Sequence, residues 1–172
     1  MTRIRIFFRT YWILLLIVAA QFIMAHSQVA ILQSGKVPPF RMLLANGKLF
    51  SAENLPIGKP IAIIYFSPDC EECKELTKAL IERIDEAKHV SIAMITYQSV
   101  ENVAGYVKKN NLNKYSNIYA GTEGSSLFVK NYYNIVTFPF MALYSKNGDL
   151  IKKYTTKETD LDDFLEKAKL LR

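Results

Sequence analysis

With 172 residues, half of them hydrophobic, the chain has room for one domain with a sizeable core. Three of the 22 basic side chains are Arg3, Arg5 and Arg9; the other 19 face 16 acidic ones. The excess of base is therefore small beyond residue 9, and no basic stripe interleaved with aromatics stands out, which argues against a nucleic-acid-binding protein.

The first element follows the three arginines. An apolar run from Tyr11 to Ala25, broken only by Gln21, precedes the small residue Ser27. A basic start, an apolar middle and small residues at Ala25 and Ser27 predict a secretory signal cleaved after Ser27. Counting Phe7 and Phe8 into the run gives the alternative, an uncleaved membrane anchor over the same residues 1–27. Both deliver the rest of the chain across a membrane. Residues 28–39 carry Gly, Ser and two prolines and read as a linker or an extended approach to the domain, leaving 40–172 as the folded domain.

Within that domain, Phe40 to Phe50 holds Asn46-Gly47 between apolar runs, a hairpin signal because both residues accept positive φ. Ile61 to Phe66 is apolar throughout, as a strand covered on both faces requires. Leu76, Leu80 and Ile84 then repeat at helical spacing, with Lys74, Lys78, Glu82 and Glu86 on the other side. Val90 to Thr96 predicts a second central strand and Val100 to Lys109 a helix. Ile118 to Ala120 predicts a short strand, and Leu127 to Tyr133 a short helix. Phe140–Tyr144 and Leu150–Tyr154 flank Asn147-Gly148 as a second hairpin. Thr159-Asp160 opens a last amphipathic helix on Leu161, Phe164, Leu165 and Ala168. Strands alternating with helices predict an α/β sheet covered on both sides.

Both cysteines of the chain, Cys70 and Cys73, lie in the stretch Tyr65-Phe66-Ser67-Pro68-Asp69-Cys70-Glu71-Glu72-Cys73. A strand ends, a turn follows at Ser67-Pro68, and a helix begins near Asp69. Cys70 in the first turn meets unpaired backbone N–H groups and the positive end of the helix dipole, which favour a thiolate, the attacking species. Cys73 follows one turn later, within reach to resolve a mixed disulfide. A structural disulfide is the plain alternative, but closing so short a loop removes little unfolded-state entropy. Half a zinc site has the same spacing; zinc needs two more ligands, and beyond the signal segment only His89 is on offer, so no metal is expected. Asp69, Glu71 and Glu72 surround the motif with like charge, which opposes thiolate formation and makes them the expected redox-tuning residues. The second feature is Val136-Thr137-Phe138-Pro139-Phe140, whose proline opens the strand of the closing hairpin.

A C-x-x-C motif joined to this downstream proline resembles the thioredoxin superfamily, over residues 40 to 172. The element order and the long interval from Cys73 to Pro139 are similar to the exported thiol–disulfide oxidoreductases of the TlpA type, relatives of the AhpC/TSA redoxins. The resemblance implies an α/β thioredoxin-like fold: a central mixed sheet flanked by helices, with an N-terminal hairpin and an extra strand–helix insert. It also implies a nucleophilic Cys70, a resolving Cys73 and a substrate-facing cis Pro139, with the Phe138 backbone open to an extended substrate. The implied activity is thiol–disulfide exchange with protein clients outside the cytoplasm, in the periplasm or tethered to a membrane facing it. It proceeds in the reducing direction, with no cofactor beyond the Cys70–Cys73 disulfide and with an electron donor the sequence does not identify. The chain departs from the family pattern in two places: Asp69 replaces the frequent tryptophan before the first cysteine, and Ile64 stands where many thioredoxins carry a buried acid. Two other function classes stay open. A peroxiredoxin would need Pro at 63 and Thr or Ser at 67; the chain has Ile63 and Ser67. An envelope binding module or metallochaperone would keep the fold without the exchange chemistry.

Overall fold

Ile61–Tyr65 (β3) is the strand on which the sheet is built. It pairs in parallel with Ser91–Thr96 (β4) along one edge and antiparallel with Phe140–Tyr144 (β6) along the other. Its side chains alternate between two cores. Ala62 and Ile64 join Leu76, Leu80, Ile92, Met94 and Phe164 on one face, while Ile63 and Tyr65 join Phe40, Met42, Ile95, Val129 and Tyr144 on the other. A strand lined by core on both sides has no face left for polar residues, which is why the run reads as unbroken apolar sequence.

These relations come from a computed structural model that describes residues 35–155 and 161–172, with residues 17, 18 and 21 besides. The expected export segment over 1–27 therefore falls almost wholly outside the described residues, as does the Thr159-Asp160 helix start. Met1–Gly35 and Lys36–Arg172 form separate units, and the sheet belongs to the second. Among the described residues no helix is long and apolar enough to cross a membrane.

Among the described residues seven strands form one mixed sheet, in the order Leu49–Ser51 (β2), Arg41–Leu44 (β1), Ile118–Thr122 (β5), β4, β3, β6 and Leu150–Tyr154 (β7). The expected N-terminal hairpin is Arg41–Leu44 (β1) and Leu49–Ser51 (β2), turned through Asn46 and a left-handed Gly47. Residues 36–39, the end of the stretch read as a linker or an extended approach, lie against the domain. Lys36 forms an ion pair with Asp149 at 2.5 Å, and the Val37 amide bonds the Gly148 carbonyl at 3.1 Å. The insert is visible as Val100–Lys109 (α3) followed by Ile118–Thr122 (β5), which pairs in parallel with β4 and carries β1 on its outer edge. That outer pairing requires Gly121: a Cβ there would lie 2.6 Å from the Leu43 carbonyl oxygen.

The helix after β3 is Glu71–Glu82 (α1), which buries Cys73, Leu76, Thr77 and Leu80 at three- and four-residue steps. Sequence periodicity carries this helix through Ile84. The structure instead breaks it at Arg83, whose guanidinium pairs with Glu86 and Asp162, and restarts it as Ile84–Ala87 (α2). Phe128–Tyr132 (α4) precedes β6, and Leu150–Tyr154 (β7) follows it. Leu161–Leu170 (α5) closes the first core with Phe164, Leu165 and Ala168. His89 lies in the turn before β4, as its sequence position suggests, but it is half-buried and its Nε2 lies 2.8 Å from the Ala168 carbonyl of α5.

Candidate active site

Three parallel strands, β3, β4 and β5, end at one edge of the sheet. The residues that follow them are Ser67–Cys70, Tyr97–Gln98 and Glu123. Ligand sites of α/β sheets gather at such carboxyl ends.

Cys70 stands one residue ahead of α1, as its N-cap, rather than inside the first turn. Its backbone is extended (φ −78°, ψ 125°), and its Sγ accepts the Cys73 backbone N–H at 3.3 Å, as a serine or aspartate cap would. The cap places the sulfur at the helix N-terminus, where the expected dipole field acts. The Cys73 thiol donates to Cys70 Sγ with the sulfurs 2.7 Å apart, a short side-chain movement from the ~2.05 Å of a disulfide. The two sulfurs are not equivalent. Cys70 is half-exposed, whereas Cys73 is 1% exposed. Burial pushes the Cys73 thiol well above its ordinary range, and its bond to Cys70 adds to that; the Ser67 backbone pulls the other way.

Across from Cys70, the Phe138–Pro139 peptide bond is cis. The Phe138 carbonyl oxygen lies 3.7 Å from Cys70 Sγ, within reach of its S–H. Pro139 itself is buried, and the half-buried Phe138 ring lies between Tyr65 and Tyr97, at centroid distances of 5.9 and 6.0 Å. The Lys130 ammonium sits over two of these rings, 5.4 Å from Tyr97 and 5.9 Å from Phe138.

The three acids around the motif have different partners. Asp69 turns its carboxylate to Gln98 Nε2 at 2.8 Å, and Glu71 pairs with Lys74 at 2.9 Å. Glu72 is the one that accepts from Cys70 Sγ, at 3.4 Å; its own backbone amide first, and Cys70 second, hold its carboxyl below the usual range. Glu71 likewise holds the Lys74 ammonium above its ordinary range. At the position where an acid is common, Ile64 is 1% exposed and packs in the first core. The polar groups beneath Cys73 are hydroxyls: Tyr106 donates to Thr77 Oγ1 at 2.8 Å and approaches the Cys73 carbonyl at 3.2 Å. Burial pushes the Tyr106 hydroxyl up to about 12.

A buried carboxylate supports the aromatic side of the site. Glu123, 8% exposed, accepts the Tyr65 hydroxyl at 2.6 Å and the Val129 and Lys130 amides at 2.7 and 3.3 Å. It thereby caps α4, on which Lys130 lies, and fixes the ring stacked on Phe138; burial and this carboxylate together push the Tyr65 hydroxyl up.

Sequence reasoning singles out Cys70, Cys73, Phe138, Pro139, Asp69, Glu71 and Glu72, and all seven lie in this one region. It misses Gln98, Tyr97, Lys130, Glu123 and Tyr106. A signal for two of them is available: Tyr97 and Gln98 directly follow a predicted parallel strand, where site residues concentrate.

Comparison with known proteins decides the family. The thioredoxin-like domain family matches residues 52–169. This chain belongs to that family. A search of curated proteins finds no match. Among solved structures, a secreted Mycobacterium tuberculosis disulfide oxidoreductase homologous to Escherichia coli DsbE is 20% identical, with a TM-score of 0.63 over 77% of this chain and 96% of that one. A thiol–disulfide oxidoreductase of Bacteroides fragilis is 18% identical, with a TM-score of 0.65 over 80% and 99% of the two chains. DsbF of M. tuberculosis is 17% identical, with a TM-score of 0.62 over 78% and 96%. The fold is thus thioredoxin-like, a central mixed sheet flanked by helices.

Proposed function

We propose that this protein is an exported thiol–disulfide oxidoreductase that reduces disulfides of client proteins through Cys70 and Cys73. One observation carries the reading: a half-exposed Cys70 sulfur faces the Phe138 carbonyl beside a cis Pro139, with the buried Cys73 sulfur 2.7 Å behind it. A nucleophile in front and a protected thiol behind is the arrangement that two successive exchanges need.

In the first exchange the Cys70 thiolate attacks one sulfur of the client disulfide. A Cys70–client bond forms, the client S–S bond breaks, and the departing client sulfur takes the electron pair and a proton. In the second, the Cys73 thiolate attacks the Cys70 sulfur and the other client sulfur leaves in the same way. Two electrons and two protons pass to the client, and the protein ends with a Cys70–Cys73 disulfide. No bound cofactor enters these steps; a dithiol partner must return the disulfide to its reduced form. Burial keeps Cys73 protonated and out of competition until the mixed disulfide exists, and the Ser67 backbone then favours its thiolate.

An extended client segment would lie along the Phe138 backbone, as a strand added to an edge, with Tyr97 and Lys130 flanking it. The reducing direction rests on Asp69, Glu71 and Glu72, whose negative charge opposes the thiolate accumulation that marks strong oxidants. Export rests on the arginines and apolar run of residues 1–27, acting as a signal or a membrane tether. The test is capture: in cells making Cys73→Ala, clients become disulfide-linked to Cys70. A trap that stays empty while the intact protein reduces no client disulfide would remove the exchange reading.

A further inference from the structure

Gln98 plays no part in the two exchanges, yet it touches the turn that touches both cysteines. It is half-buried after β4, and its backbone amide lies 3.4 Å from Thr96 Oγ1. Its side-chain oxygen accepts Asn102 Nδ2 at 2.8 Å, which turns the amide nitrogen away from α3. That nitrogen then donates to Ser67 Oγ at 2.9 Å and to Asp69 Oδ2 at 2.8 Å. Both N–H bonds of the amide are used, each on an acceptor in the same turn. A carboxylate at this position would face the Asp69 carboxylate, and an apolar side chain would leave the buried Ser67 hydroxyl without this donor.

The turn held in this way carries the motif. The Ser67 carbonyl accepts the Cys70 amide at 3.1 Å, and the Ser67 backbone opposes the upward push of burial on the Cys73 thiol. Asp69 precedes Cys70 directly, and Gln98 holds its carboxylate at a fixed place on the β4 side of the turn.

We propose that Gln98 is a positioning residue that sets the redox equilibrium and exchange rate of the Cys70–Cys73 pair by fixing Ser67 and Asp69; this rests on the thiol–disulfide reading above. Without Gln98 the Asp69 carboxylate, one residue from Cys70, is no longer held at the β4 side of the turn and becomes free to approach the sulfur, and the Ser67 backbone that opposes the burial of the Cys73 thiol is less firmly placed. Both changes disfavour the thiolates of the reduced pair and so favour its disulfide. The pair becomes more reducing and Cys70 attacks more slowly.

The test uses the full-length protein and its Gln98→Met variant in glutathione buffers, with the disulfide fraction read by alkylation and mass spectrometry. The expected shift is about threefold to tenfold toward disulfide, or roughly 14 to 30 mV at 29.6 mV per tenfold. Iodoacetamide should label Cys70 of the variant more slowly, with its pH profile moved to higher pH. Introducing Asp69→Asn into Gln98→Met should recover at least part of the shift, because the carboxylate that Gln98 restrains is then uncharged. A variant that melts earlier but keeps the wild-type glutathione equilibrium and pH profile would reduce Gln98 to a structural residue and overturn the proposal. If Gln98→Met does not fold, Asn102→Ala, which only frees the amide to rotate, should shift the equilibrium the same way by less; no shift overturns the proposal equally. Wild-type protein that forms no disulfide at any glutathione ratio would sink the exchange reading and this proposal together, whereas a titrating wild type with coincident variants sinks the proposal alone.

Discussion

Removing the Glu123 carboxylate should destabilise the domain and loosen the Phe138 side of the site together. Glu123→Ala leaves the fully buried Tyr65 hydroxyl and the Val129 and Lys130 amides without their common acceptor. A buried donor left unpaired costs about 1–3 kcal/mol, but these share one acceptor and the cost of burying a carboxylate is removed at the same time. The net loss is about 2–4 kcal/mol, less than the three terms added separately. Tyr65→Phe deletes one charge-assisted bond and leaves the two amides served, so it should cost about 1–2 kcal/mol. Urea unfolding followed by circular dichroism measures both, and the double variant should lose less than the two single losses combined. Because Tyr65 stacks on Phe138, disulfide reduction by both variants should also fall at temperatures where they remain folded. An Glu123→Ala protein with a wild-type urea midpoint would refute the reasoning, since three donors would then have lost their acceptor at no cost.

Other consequences follow from the same contacts. Gly121→Ala forces a Cβ to within 2.6 Å of the Leu43 carbonyl, so β1 must move; melting should occur at lower temperature, by about 1–3 kcal/mol of stability. Limited iodoacetamide treatment of the reduced protein, read by peptide mapping, should label half-exposed Cys70 at least about tenfold faster than buried Cys73. Glu72→Gln removes the carboxylate that accepts from Cys70 and should speed that labelling by about twofold to fivefold, less so at high salt. Glu86, held down to about 2 by Arg83 and then Lys169, and Asp163, held down to about 2 by the Tyr154 hydroxyl and then Lys167, are depressed in the folded state. Their stabilisation is complete above the ordinary carboxylate range near 4 and is lost as pH falls toward 2. Acid unfolding should steepen in that window, and Asp163→Asn should flatten it.

The central strands were legible because both of their faces are core: Ile61–Tyr65 and Ser91–Thr96 lie where unbroken apolar sequence places them. Val100–Lys109 and the 140–154 hairpin also match their predicted bounds, the latter because Asn147-Gly148 supplies the turn. The C-x-x-C motif and Phe138-Pro139 could be read as one site only through the resemblance to a family, since 64 intervening positions hide their proximity from any local pattern. Glu123 was illegible for a different reason: a carboxylate in a Gly- and Ser-containing stretch reads as a solvated loop, and its burial depends on Tyr65 arriving from β3. Gln98 is similar, because its acceptors come from another strand's turn. The helix break at Arg83 depends on Glu86 and Asp162, the second of which lies in the last helix. Leu127, the residue before α4, takes a left-handed conformation at φ +47°, which no residue preference would suggest for leucine.

Insulin reduction by the full-length protein, with dithiothreitol as the electron source, bears most directly on the claim that Cys70 and Cys73 exchange disulfides with protein clients. The account predicts insulin precipitation faster than with dithiothreitol alone, abolished in Cys70→Ser, and in Cys73→Ala replaced by a stable Cys70–insulin adduct. Reduction that survives Cys70→Ser, or a wild-type protein no faster than dithiothreitol, would contradict it.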